Sequence, residues 1–445
     1  MMHYLEMFLY YGLLTALVLS AVVFIHEFGH FYAARRFGVK VEAFSIGFGR
    51  EIWGKTDSKG MRWKICAFPF GGYVVFHGED ELREPNPEGA FWAKPNWQRS
   101  LISLAGPAAN FLLALVLMFF VFLFDGKPVA NSTINAVEIG SGADRAGLKV
   151  GDVILSVNGK AIPEDFIDLT KIINEDGSNA AAVEFMRDGQ KMSRVVDLHV
   201  MKDEGDFGED KSRRVMGVIL GRGAWKIEAI NAVDGVDTSG HPDFARQLIK
   251  EKLGRDVVVN FGLVKKEGDE QKDYHMHLTA ENNAALSDPE HVNYSSVVYG
   301  NLKDMRKREV SVFEAFIQSS LFSWEAVRKV SGVIYQMFVG KKDTGDLGGV
   351  VKIGEMTGGA FRQSEISGYS IFFRLIAAIS VNIGFLNLLP LPMLDGGRLT
   401  FNLYEAIRGK RPSHKVRAYI MAGSVGFVFA IILMTNIRDI FEIFM

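Results

Sequence analysis

The chain has 445 residues, a formal net charge of −2 and a single cysteine, Cys66. That length allows several domains, the near-neutral charge gives no electrostatic case for a nucleic-acid partner, and a lone cysteine excludes an intrachain disulfide. Apolar residues are unevenly spread. Four stretches, residues 8–25, 101–124, 375–394 and 418–437, carry no charge over close to the ~20 residues a helix needs to cross a bilayer.

The first stretch, with residues 1–36 as its segment, is expected to be a retained span rather than a signal peptide. No Lys or Arg precedes Arg35, and no small-x-small cleavage site follows the apolar run. It ends in "VVFIHEFGHFYAARRF", where His26, Glu27 and His30 fit H-E-x-x-H. On a helix, positions i and i+4 share one face, so both imidazoles can hold one ion while Glu27 sits beside it as a water-activating base.

Residues 37–100 follow, rich in Arg and Lys, and residues 101–125 form the second span. Residues 397–416, which join the third and fourth spans, are basic as well. Positive charge marks the cytoplasmic side of short loops. Both connections are therefore expected in the cytoplasm, with both termini and the polar middle region on the opposite side.

In that middle region, "AGLKVGDVILSVNGKAI" (residues 146–162) places a strand before an Asn158-Gly159 turn. The stretch is similar to PDZ domains of bacterial proteases, with a helix expected near residues 166–173. A weaker echo, "IEAINAVDGVDTSGHPDFARQLI", repeats the strand, an Asp234-Gly235 turn and a helix near residues 244–249. Two tandem PDZ-like α+β domains are expected, residues 126–222 and 223–300, with a loop over residues 202–214. His275 and His277 lie on one strand face without a clear third ligand and read as structural. Residues 301–368 combine a helix over 310–339, either amphipathic at the membrane interface or packed on the PDZ-like domains, with a glycine-rich connector.

The third span, residues 369–396, contains "RLIAAISVNIGFLNLLPLPMLDGGRL". Asn382, Asn387 and Asp395 are costly at such depth, and Pro390 and Pro392 must end the helix. Spans one and three run in the same direction. His26 lies roughly 18 residues into one and Asp395 roughly 20 into the other, which at ~1.5 Å per residue brings them to similar depth. Two histidines and one carboxylate complete a three-ligand zinc site with an open fourth position. A non-haem iron centre uses the same residue types but needs no glutamate inside the motif. A membrane scaffold would not require Glu27, and a metal transporter should carry polar groups through the full depth. Residues 417–445 hold the fourth span.

"HEFGH", "LAGPAANF" and "NLLPLPMLDGG" together resemble the site-2 protease family of intramembrane zinc metalloproteases, its bacterial regulator-of-sigma-E type above all. The resemblance covers essentially the whole chain. It implies a polytopic α-helical membrane protein with four transmembrane helices, one Zn2+ held by His26, His30 and Asp395, and Glu27 as the catalytic acid/base. Asn387 falls on the family's substrate-contacting asparagine and Asn382 on the upstream one, whereas Asn110 falls on a second-span asparagine read as structural. "FSIGFGREIW" matches a family segment except that Arg50 stands where proline is usual. With "PFGGYV" it implies membrane-dipping β-strands that present an edge to an extended substrate, with Gly47, Gly49, Gly71 and Gly72 either allowing close approach of that substrate or serving as ordinary hairpin turns. The implied substrate is a single-span membrane protein, an anti-sigma factor already trimmed by another protease or a leftover signal peptide, in the bacterial inner membrane. Peptide ends at the PDZ-like domains are a further implied partner.

Overall fold

The computed structural model describes residues 2–78, 88–130, 132–162, 168–175, 177–204, 207, 209–220, 224–261, 271–280, 283, 286, 297–299, 305–341, 353–354, 356–358, 360–361, 364, 368–413 and 415–426. The chain divides into two compact units, residues 1–125 with 310–445, and residues 126–309.

The first unit is built on helices, numbered here within this unit alone: α1 (Met2–Arg36), α2 (Asn96–Asp125), α3 (Val312–Phe338), α4 (Ser370–Asn387) and α5 (Asp395–Arg408). Three helices among the described residues are long and apolar enough to cross a membrane: Tyr11–Arg36, Asn96–Asp125 and Ser370–Asn387. The chain is accordingly a multi-pass membrane protein. Of the expected fourth span, residues 417–426 are helical and the remainder lies outside the described residues.

Small side chains let these helices approach closely. A Cβ on Gly29 of α1 would meet the Ala105 carbonyl and the Ala109 Cβ of α2. Ala114, Met118 and Val121 of α2 pack with Ala377 and Val381 of α4 and with Ala315 of α3. Helix α3 therefore belongs to the membrane unit, while Phe313, Trp324 and Phe338 on its other side stay exposed.

Between α1 and α2 run two long antiparallel strands, β1 (Val41–Thr56) and β2 (Arg62–Phe76). Both bend sharply. Residues 43–46 pair with 72–75 on one side and with 62–65 on the other, and residues 62–65 pair again with 53–56. Two strands thus supply four sheet segments, with 72–76 at one edge. The bends fall where Gly47 and Gly49 take φ of +85° and +84°, values that side-chain-bearing residues resist. Phe44 and Met61 are buried beneath the sheet, whereas Phe48, Ile52, Trp53 and Phe68 are exposed.

The second unit contains the expected repeat. Strand Val153–Val157, a turn at Asn158-Gly159 (φ +51° and +73°) and strand Lys160–Ala161 are echoed by strand Ile230–Val233, a turn at Asp234-Gly235 (φ +49° and +78°) and strand Val236–Asp237. Positive φ at both central residues suits the twist of a two-residue hairpin. Helices Asp168–Glu175 and Pro242–Glu251 follow in turn.

Two features differ from the sequence reading. Overlapping the stretch expected as a loop over residues 202–214, the described segments His199–Glu204 and Asp210–Val215 pair as antiparallel strands, whose charged residues obscure the strand pattern. The boundary expected near residue 222 falls between two cores, one running from Ile134 to Leu220 and the other holding Ile227 to Leu286 with Ala136, while one sheet joins the halves. Ile134–Glu138 pairs with Lys272–His277, giving one six-stranded sheet in the order Val218–Leu220, Ile134–Glu138, Lys272–His277, Asp256–Phe261, Ile230–Val233, Val236–Asp237. Ile134 and Val137 enter one core and Ala136 the other. His277 Nδ1 lies 2.7 Å from Asp256 Oδ1, an ordinary cross-strand pair.

Candidate metal centre and active site

Helix α1 places His26 and His30 one turn apart, with their ring centroids 4.8 Å from each other. The partner acid arrives from a break in the helical path. Helix α4 ends at Asn387, the chain turns through Pro390 and Pro392, and α5 restarts at Asp395. A Cβ on Gly396 would meet the Leu388 and Leu389 carbonyls, and one on Gly397 the Leu391 carbonyl. The two glycines let the new helix start tightly against the turn, which holds the Asp395 carboxylate in the favourable field of a helix N-terminus.

Asp395 Oδ2 lies 3.0 Å from His26 Nε2 and 3.1 Å from His30 Nε2, and the two Nε2 atoms are 3.2 Å apart. All three residues are buried, at 5%, 5% and 8% exposure. Their ligand atoms form a near-equilateral triangle, the one grouping of three or more His, Cys, Asp or Glu side chains among the described residues able to hold an ion. Zinc at ~2.0–2.1 Å from each donor would set tetrahedral ligands about 3.3 Å apart. The observed triangle needs to open only slightly to admit it, so the donor set fits zinc. His30 Nδ1 lies 2.8 Å from the Ile102 carbonyl. An Nδ1–H donated there leaves the Nε2 lone pair facing the site.

The second nitrogen of each ring is met by α2. Ile102, Gly106 and Asn110 recur every four residues along one face of that helix. Asn110 Nδ2 lies 3.3 Å from His26 Nδ1. Gly106 leaves room for the His30 ring, since a Cβ there would overlap it.

A cavity of about 240 Å³ opens on this cluster. It is lined by His26, Glu27, His30, Tyr73, Val74, Phe76, Asn387, Met393, Leu394, Asp395 and Arg398. Glu27 and Asn387 are thus brought to the same space as the triangle. Gly72 stands beside them, because a Cβ there would lie 3.6 Å from Glu27 Cγ. Asn382 does not line the cavity. Nor do Gly47, Gly49 and Gly71: a Cβ on Gly47 or Gly49 would meet Phe68, and one on Gly71 would meet Phe48. Sequence reasoning missed Tyr73 and Arg398. Tyr73 follows the Gly71-Gly72 pair and Arg398 follows the "LDGG" run, but no periodicity shows which side chains turn toward a cavity.

Across residues 14–433 the chain matches the family model described as Peptidase family M50. It belongs to that family, the site-2 proteases. A Rickettsia conorii protein named as a candidate zinc metalloprotease is 31% identical over 434 residues, covering 96% of this chain and 98% of the relative. Similarly named proteins of Brucella suis and Pasteurella multocida are each 30% identical, covering 92% of this chain, and 92% and 96% of their own lengths. The protein is a membrane-embedded zinc metalloprotease.

Proposed function

We propose that this protein hydrolyses a peptide bond within the transmembrane segment of a single-span membrane protein. His26, His30 and Asp395 hold one Zn2+, and Glu27 is the acid/base. The observation that carries the reading is the buried triangle of donor atoms with Glu27 on the wall of the same cavity.

When bound, zinc supplies a Lewis acid that polarises a carbonyl and makes water acidic near neutral pH. Glu27 accepts the proton of the attacking water and delivers it to the leaving amine. Asn387 orients the substrate backbone, a role supported by its position on the same cavity wall. A helical substrate has its carbonyls tied up in hydrogen bonds and must be drawn out locally. The edge segment 72–76 serves this purpose better than the Gly47–Gly49 bend. Residues 43–46 are paired on both sides, whereas Tyr73, Val74 and Phe76 of the edge segment line the cavity. An extended substrate adding to that edge passes Glu27. Exposed Phe48, Ile52, Trp53 and Phe68 suit a hairpin dipping into lipid.

The protein resides in a bacterial inner membrane, with a fourth span completing the set and the second unit on the periplasmic side, as the Arg and Lys distribution supports. The repeated halves of that unit are PDZ-like modules that screen substrates by size or bind peptide ends. A cavity lined by Ile173, Arg213, Arg214 and the strand Val218–Leu220 supports the second role. The substrate is a pre-trimmed anti-sigma factor, with remnant signal peptides second.

The test is cleavage of a single-span substrate by the full chain and by Glu27→Gln. The variant should retain zinc and lose activity by about 10²–10⁴-fold, the range for an acid/base group. Undiminished cleavage removes Glu27 from the reaction.

A further inference from the structure

We propose that Asn110 is a positioning residue of the metal centre. Its side-chain carbonyl accepts the Nδ1 proton of His26 and so keeps that ring's Nε2 lone pair directed at the ion. The inference rests on the reading of His26 as a ligand.

Asn110 is fully buried in the middle of α2, an expensive place for an amide. Its Nδ2 lies 3.3 Å from His26 Nδ1, while its Oδ1 is buried with no hydrogen-bond partner. In this orientation the amide donates to Nδ1. The ring proton would then sit on Nε2, the atom that faces Asp395 Oδ2 and His30 Nε2. That proton would occupy the direction a metal needs. The oxygen and nitrogen of an Asn amide have nearly the same shape, so rotating the amide by half a turn fits the same space. The rotation costs no bond made by Oδ1, because there is none. In the rotated form Nδ1–H donates to Oδ1 and Nε2 is bare.

Two further observations support the assignment. The other histidine has the same arrangement: His30 Nδ1 meets the Ile102 carbonyl at 2.8 Å, two turns earlier on the same face of α2. Asn110 is also held from behind by α4. The Ser380 hydroxyl donates to the Asn110 backbone carbonyl at 2.9 Å, and Gly384 lies so close that a Cβ there would be 3.0 Å from Asn110 Cβ. A clamped acceptor fixes both the ring orientation and its tautomer, which raises metal affinity.

The experiment measures zinc affinity by chelator competition on the detergent-solubilised full chain, for wild type, Asn110→Leu, Asn110→Asp and His26→Ala. Thermal unfolding of each metal-free protein is recorded alongside. Leucine keeps the volume without an acceptor and should weaken zinc by about 10–100-fold. Aspartate keeps the acceptor and should bind zinc as wild type does. Wild-type affinity in Asn110→Leu, or equal weakening in both Asn110 variants, shows a packing role only and overturns the proposal. Should Asn110→Leu fail to fold, ring ¹⁵N spectra of histidine-labelled wild-type holoprotein decide instead. A protonated, hydrogen-bonded His26 Nδ1 with ligated Nε2 is expected, and ligation through Nδ1 refutes the assignment. Full zinc binding by His26→Ala would topple the ligand reading itself. Loss of zinc in His26→Ala with retention in Asn110→Leu would topple this inference alone.

Discussion

Replacing Gly106 by alanine tests whether α2 shapes the metal centre. The added Cβ would overlap the His30 ring, with Cε1 at 2.6 Å and Cδ2 at 2.7 Å. Those distances are far inside van der Waals contact. The ring has no easy retreat, because its Nδ1 is bonded to the Ile102 carbonyl and its Nε2 faces Asp395 and His26. Two effects on stability oppose each other. Alanine favours a helix over glycine by about 1 kcal/mol, and overpacking costs about 1–3 kcal/mol. The net loss of fold stability should therefore fall between about 0 and 2 kcal/mol. Zinc affinity has no such offset. Displacing an imidazole from its supporting bond should weaken the metal by about 10–100-fold, or about 1.4–2.8 kcal/mol. Chelator competition and thermal unfolding on the same samples separate the two quantities. Gly12→Ala is the control, since a Cβ there meets nothing within 4 Å. Zinc affinity in Gly106→Ala within twofold of Gly12→Ala would refute the claim that this face of α2 is fitted to His30.

Other perturbations have equally definite outcomes. Arg99 is buried and bonds Asn402 Oδ1 at 3.2 Å, Glu405 Oε2 at 2.7 Å and the Lys94 carbonyl at 3.1 Å, so Arg99→Met should lower stability by about 2 kcal/mol in thermal unfolding, less than a fully buried pair because Glu405 is partly exposed. Burial alone would raise the Glu405 carboxyl, but Arg99 and Arg411 outweigh it and hold it below its ordinary value. A depressed carboxylate stabilises the fold above its unfolded pKa and loses that contribution as pH falls through the folded one. Glu405→Gln should therefore flatten part of the acid limb of the stability profile below about pH 4.3, and an unchanged limb would contradict the pairing. In the second unit, Asp152 is buried and accepts from Arg187 at 2.7 and 2.6 Å and from the Lys149 amide at 2.8 Å. Asp152→Ala should cost about 3 kcal/mol, against about 1 kcal/mol for Asp256→Ala at an exposed pair, measured by hydrogen exchange across the unit in the full chain.

The chemistry was more legible than the architecture, for physical reasons. His26, Glu27 and His30 are joined by helical periodicity alone, and Pro390 and Pro392 announce the break that frees Asp395. The turns at Asn158-Gly159 and Asp234-Gly235 are equally local, since the dipeptide itself favours positive φ. Pairings between distant segments leave no such mark. Nothing within Ile134–Glu138 says that its partner is Lys272–His277, so the six-stranded sheet that joins the two halves is not visible in the sequence. The strand pair within residues 199–215 was hidden because a two-stranded ribbon has little buried face to impose alternation on "HVMKDE" and "DKSRRV". Gly106 and Asn110 stood within a motif whose letters were visible. Their roles were not, because those roles depend on which face of α2 meets α1.

On the proposed reading, the same sheet geometry ties substrate capture to Glu27 as the acid/base. A peptide bond in a helix presents its carbonyl along the helix axis, engaged by an amide four residues on. Proton transfer requires the reacting atoms within hydrogen-bond reach of the carboxylate. The edge segment 72–76 meets both demands on the proposed reading. Its backbone offers strand pairing, and Gly72 stands where a Cβ would lie 2.7 Å from the Ser45 carbonyl and 3.6 Å from Glu27 Cγ. A side chain there would push the edge away from β1 and crowd the carboxylate together. Gly72→Val should therefore impair cleavage of helical substrates while leaving zinc affinity at the wild-type level, since the atoms nearest that Cβ position belong to Ser45, Val23 and Glu27 and not to the three metal-facing residues. A pre-extended peptide offered to the same variant should regain less than a helix-destabilised substrate regains on the wild-type protein. Full recovery would place the defect in unwinding alone and detach the edge from Glu27.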